Sequence, residues 1–152
     1  NEYSEVSTLI SSGTCTTINV LDNVGLFEED LFIDLVDHEW CWRASQKGFK
    51  LYSCNIIHMS HRVGEGDYSF LGFPIIKSSP FRYYFIFRNT LRLLKRNYVP
   101  FDWKLKRTIR CVGTVIYIGL STNFKGVKRE IMKNVLRGLK DGILSPKQIK
   151  FK

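Results

Sequence analysis

Asp37, Glu39 and His61 are the residues of this sequence whose types and spacing suit acid–base or metal chemistry. Asp37 lies in the run Phe32-Ile33-Asp34-Leu35-Val36-Asp37-His38-Glu39-Trp40-Cys41-Trp42-Arg43, ahead of a helical pattern in which Glu39 and Arg43 form a favourable i, i+4 pair. A carboxylate at a helix start is stabilised as the anion by the helix N-terminus. It can simply cap that helix, or it can take a proton from a hydroxyl whose oxygen is attacking an electrophile. His61 follows a β-prone run and opens a Gly-rich stretch, a place from which a metal ligand can protrude; the plain reading is a structural His. His58 and His61 would point to opposite faces of a strand, so they do not read as a joint metal pair.

The elements that must position these groups alternate in the front half. Residues 6–10 are a short β-prone run, and residues 14–20, rich in Thr, Ile and Val, suit a second strand. Residues 19–25 look like a helical turn stopped by Gly25, and residues 27–32 are acidic and loop-like. The helix opened by Asp37 should stop at Lys47-Gly48. Residues 49–54 and 56–59 read as strands that deliver His61. Strand, helix, strand argues for an α/β layer.

After a turn-rich stretch the texture becomes helical. Ser79-Pro80 is a helix start, with Ser as N-cap and Pro at the first helical position, for a helix over 80–96 that Pro100 ends. Asp102 can cap a second helix through Leu105, Ile109, Val112 and Ile116. A third places Val127, Ile131, Val135 and Leu139 on one face, with Asp141-Gly142 closing it. Residues 112–120 are apolar but far shorter than the roughly 20 residues a membrane span needs.

Charge divides the chain in the same place. Nine of the 14 acids precede His61, whereas 20 of the 23 Lys and Arg residues follow it, for a net charge of +9. A strongly basic back half favours contact with an anionic surface or ligand. The four cysteines form no Cys-x-x-Cys pair and no zinc-ribbon cluster with His; Cys41 and Cys54 read as core thiols, which suits a reducing compartment. The chain starts at Asn1 with neither an initiator Met nor a leader, so a piece of a longer protein is expected.

The stretches Leu9-Ile10-Ser11-Ser12-Gly13, Val24 through Arg43, Gly48-Phe49-Lys50-Leu51-Tyr52 and His58-Met59-Ser60-His61-Arg62-Val63-Gly64 together resemble a family 2 glycosyltransferase, in its bacterial rhamnosyltransferase-like branch. Ser79-Pro80-Phe81-Arg82-Tyr83-Tyr84 and Arg88-Asn89 extend the resemblance to about residue 100. It implies an α/β fold: the acceptor-side half of a GT-A (Rossmann-like) glycosyltransferase domain over residues 1–76, followed by a basic C-terminal helical region over 77–152. It implies inverting transfer of a sugar, rhamnose in this branch, from a nucleotide-diphosphate donor (dTDP-L-rhamnose) to a glycan or lipid-linked acceptor. By the same resemblance Asp37 is the general base, His61 a ligand of a divalent metal (Mn2+ or Mg2+), and Ser12, Gly13 and Trp40 line the substrate site. Val36 departs from the acid that many relatives carry before the base, and no Asp-x-Asp metal motif occurs in the chain. The 152-residue chain is therefore expected to be inactive alone.

The implied setting is cytoplasmic, peripheral at the anionic inner face of the cell membrane, with a homo-oligomer as a further arrangement. Two other classes compete. A nucleic-acid-binding module fits the basic, aromatic-interleaved residues 81–96, but the acidic front half and the absence of a nucleic-acid motif oppose it. A non-catalytic assembly piece fits a chain whose helices pair with another copy.

Overall fold

Residues 2–60, 68–70, 72–121 and 126–144 are described by a computed structural model. His61, the expected metal ligand, lies outside them. In the front half, β1 (Tyr3–Val6) pairs antiparallel with β2 (Leu51–Cys54), Tyr3 opposite Cys54 and Val6 opposite Leu51. Between them come α1 (Ile18–Val24), a single 3-10 turn (Glu29–Leu31) and α2 (Val36–Gln46). A short antiparallel pair, β3 (Tyr68–Phe70) and β4 (Phe73–Ile75), leads into three long helices: α3 (Pro80–Leu94), α4 (Phe101–Leu120) and α5 (Lys128–Leu144). The chain is thus mixed helix and strand, and the described strands form two antiparallel pairs.

Several expectations change. The β-prone run at 14–20 is not a strand: Thr17 caps α1, its Oγ1 accepting the Val20 N–H at 3.3 Å, so a local cap overrides β-branched propensity. The first strand lies earlier than residues 6–10. Residues 56–59 form no strand: the β1–β2 ladder ends with Tyr3 opposite Cys54, and beyond it the Asn55 N–H donates to the Glu2 carbonyl at 2.8 Å. Asp37 does not cap α2. Leu35, left-handed at φ 68°, holds that position, and Asp37 sits in the first turn. Ser79 precedes α3 as expected, with Pro80 opening the helix, but the Ser79 side chain makes no capping bond and the helix ends at Leu94, well before Pro100. Gly25 does close α1 and Gly48 does follow α2, both with positive φ.

Three apolar clusters hold these elements. Val24, Trp40, Cys41, Ala44 and Leu51 pack between α1, α2 and β2. Tyr83, Ile86, Phe87, Cys111, Ile118, Ile131 and Val135 join α3, α4 and α5, and Trp42, Leu93 and Val99 join α2 to the end of α3. Asp141-Gly142 does not close α5, which runs on to Leu144. Gly142 instead packs with Gly138 against α3: a Cβ at Gly138 would lie 2.4 Å from the Tyr84 carbonyl oxygen, and one at Gly142 2.9 Å from that of Arg88.

Candidate functional site

Asp37 opens on a cleft of 720 Å³ between the 10–12 loop, the 33–38 segment, α3 and α4. Its walls carry Ser11, Ser12, Asp34, Asp37 and His38 on one side and Arg82, Trp103, Lys106, Arg107 and Arg110 on the other. A second opening of 260 Å³, lined by Phe27, Phe32 and Ile33, also reaches Asp37 and Ser11.

The Asp37 carboxylate is held from two directions. Oδ1 accepts the His38 backbone N–H at 2.9 Å and faces His38 Nδ1 at 3.0 Å; Oδ2 accepts the Ser11 N–H at 3.4 Å. The His38 ring contact outweighs partial burial and lowers the Asp37 pKa from its ordinary 3.8, so the group is ionised at neutral pH. Because ionised Asp37 only accepts, His38 Nδ1 is the donor in this contact, which turns Nε2 of a neutral ring into an acceptor.

Buried charges fix the helix that carries Asp37. Glu39, fully buried, takes Arg43 in a two-pronged pair, Nε to Oε1 and Nη2 to Oε2, each at 2.9 Å. Arg43 also donates to the carbonyls of Val24 and Leu26, tying α2 to the end of α1. Arg96 meets Glu28 at 2.5 and 2.7 Å and Glu39 at 3.2 Å, while Tyr98 donates to Glu39 at 2.6 Å. Burial, then the Glu39 carboxylate, push the Tyr98 phenol well above its usual range. Burial works against the charge on Arg96, but Glu28 and Tyr98 hold it above its usual value.

Residues 32–35 approach the cleft in a strained conformation, with positive φ at both Phe32 and Leu35. Asn89 over-determines it, its Nδ2 donating to the carbonyls of Leu31 and Asp34 at 2.7 Å each. Arg88 donates to the carbonyls of Asp30 and Leu31, and Arg82 grips the Asp34 carboxylate with two bonds of 3.1 Å. Arg88 and Asn89 therefore shape the wall next to Asp37 from α3.

The chain is 35% identical over 138 residues to the dTDP-rhamnosyl transferase RfbF of Shigella flexneri, which is 90% of this chain and 45% of that protein. Over most of its own length the chain is thus similar to a rhamnosyl transferase. It spans less than half the length of the relative it matches. No family model and no solved structure matches it.

Of the site residues expected from the rhamnosyltransferase resemblance, Asp37 and Ser12 share the large cleft. Gly13 follows with φ 76°, a left-handed conformation that favours glycine; the nearest atom to an added Cβ, Met59 Cε at 2.9 Å, is the end of a flexible side chain that could move aside. Trp40 is corrected. It lines neither opening; 4% exposed, it stacks on Phe27 and donates Nε1–H to the Gly25 carbonyl at 2.8 Å. It packs with Val24, Cys41, Ala44 and Leu51 in the core between α1, α2 and β2. Sequence reasoning missed Asp34 and the α4 cations. Asp34 carried a signal, three residues before Asp37 in the same motif, but Lys106, Arg107 and Arg110 are a distant helix whose facing only the packing reveals.

Among the described residues no group of three or more His, Cys, Asp or Glu side chains is arranged to hold a metal. Both cleft carboxylates already have partners, Asp34 in Arg82 and Asp37 in His38. The described residues do not by themselves fit a divalent cation.

Proposed function

We propose that this chain supplies the acceptor-side half of an inverting rhamnosyltransferase of GT-A type, with residues 1–76 in the catalytic domain and 77–152 as its helical extension. Asp37 is the general base. Its Oδ2, turned towards the Ser11–Ser12 loop, takes the proton of an acceptor hydroxyl as that oxygen bonds to the anomeric carbon of dTDP-L-rhamnose. The bond from that carbon to the diphosphate breaks on the opposite face, and the nucleoside diphosphate leaves with the electron pair. The observation that carries this reading is an ionised carboxylate, rigidly held, at the mouth of a cleft whose far wall is cationic. The similarity to a dTDP-rhamnosyl transferase supports the donor. Phe27, Phe32 and Ile33 offer an apolar bed for a sugar face in the adjoining opening.

The divalent cation of the family remains part of the proposal, with His61 and groups outside the described residues as its ligands. The cytoplasmic face of a membrane is the proposed setting, where lipid-linked acceptors reside.

Asp37→Asn tests the base in a protein that joins this chain to a nucleotide-binding half. Rhamnosyl transfer should fall about 100-fold or more, the range typical of losing a general base. Transfer near the parent rate would reduce Asp37 to a first-turn acid. The 152-residue chain alone should not turn over, and robust transfer by it would contradict its assignment as one half.

A further inference from the structure

Arg107 and Arg110, three apart on α4, face the Asp37 cleft without a carboxylate partner among the described residues. Arg107 donates Nε–H to Thr90 Oγ1 at 3.1 Å. Arg110 donates from one terminal nitrogen to the Ile75 carbonyl at 3.4 Å, and its Nε is buried with no hydrogen-bond partner. Burial, aided by the like charge of Arg110, pulls the Arg107 guanidinium below its ordinary value. The other two cations of the wall differ. Arg82 is neutralised by Asp34, and among the described residues Lys106 reaches the exposed Asp102, at 3.6 Å. Two adjacent guanidiniums held this way oppose folding. An anion lying between them would relieve the repulsion.

We propose that Arg107 and Arg110, with Lys106 at the rim, bind the phosphate or diphosphate group of the ligand that reacts at Asp37. Guanidinium forks match phosphate oxygens in pairs, and a diphosphate carries enough charge to engage three cations at once. The site deepens the transferase reading and rests on it for the ligand's source. Two sources share the chemistry: the donor's nucleoside diphosphate, and the diphosphate of a lipid-linked acceptor.

Calorimetric titration of sodium pyrophosphate into the chain at low ionic strength reads this site without any transfer. Saturable binding is expected, weakened about tenfold or more by Arg107→Gln with Arg110→Gln, as loss of paired charge-assisted bonds implies. Lys133→Gln with Lys140→Gln removes the same charge from the exposed face of α5 and should leave binding within about twofold. Should the arginine double variant fail to fold by circular dichroism, Arg107→Lys, which keeps the charge and loses the fork, should still weaken binding severalfold. Absence of saturable binding, or equal loss in both double variants, overturns the site. Displacement of pyrophosphate by dTDP names the donor as the source, and displacement by a short prenyl diphosphate names the acceptor. Failure of both leaves an adventitious anion only and overturns the proposal. Because no transfer is measured, this result is independent of the outcome for Asp37→Asn.

Discussion

In the folded chain Asp37 is held as an anion by its neighbour His38 and by the Ser11 N–H, and this has a consequence for stability. Its native pKa lies below the ordinary 3.8, chiefly through the His38 contact. Between those two values the unfolded chain binds the proton more readily than the native one, so acid favours unfolding. The stabilisation is fully present above the ordinary value and disappears as pH falls through the lowered native value. Urea unfolding at intervals between about pH 2 and 5 should therefore show a steeper acid loss in the parent chain than in Asp37→Asn. Parallel curves for the two would mean that the His38 contact does not discriminate the charged form. The same depressed pKa bears on chemistry: Asp37 is ionised and ready at neutral pH, yet a weak base, so proton transfer must accompany bond formation at the attacking oxygen.

Helix packing sets the shape of the cleft, and glycines decide how closely α5 can approach α3. The backbone oxygens of Tyr84 and Arg88 occupy the space where side chains at Gly138 and Gly142 would stand. Gly138→Ala should cost roughly 1–3 kcal/mol by overpacking, despite the better helix propensity of Ala. Gly113→Ala in α4 meets nothing within 4 Å and should stabilise by about 0.5–1 kcal/mol. Thermal melts of the two variants should move in opposite directions. The sequence could place α3, α4 and α5, because their apolar periodicity, Pro80 and Asp102 are local signals. It could also place Asp37 and Ser12 near one another through the family resemblance. It could not show that Glu28 meets Arg96 across 68 residues, or that Asn89 reaches back to Leu31 and Asp34. Those contacts depend on tertiary packing, and no periodicity encodes them. The 14–20 run misled for a related reason: its β-branched residues favour a strand, but Thr17 caps a helix locally.

At the scale of the molecule, α4 leaves one long face bare. Phe101, Leu105, Ile109, Val112, Ile116 and Leu120 are spaced at helical intervals and all are exposed, Leu105 at 54% and Val112 at 55%. Val112 and Ile116 also border an apolar groove of 280 Å³ shared with Leu91, Leu94 and Leu139. Among the described residues no helix is long and apolar enough to cross a membrane. An amphipathic helix on a basic surface instead suits a position in the plane of an anionic bilayer, apolar face inward. The charge distribution favours that occupant over a second copy, since two surfaces of the same strong positive sign repel. Each Lys or Arg near such a bilayer contributes about 1 kcal/mol, a contribution that salt screens, whereas insertion of Ile109 and Ile116 is salt-insensitive. The chain should therefore sediment with vesicles containing phosphatidylglycerol, and only weakly with neutral phosphatidylcholine. Salt should reduce that binding without abolishing it, and Ile109→Ser with Ile116→Ser should remove the salt-resistant part. Equal sedimentation with both vesicle types would discard the electrostatic contribution. A concentration-dependent dimer in analytical ultracentrifugation, lost in the serine variant, would assign the face to a second copy instead.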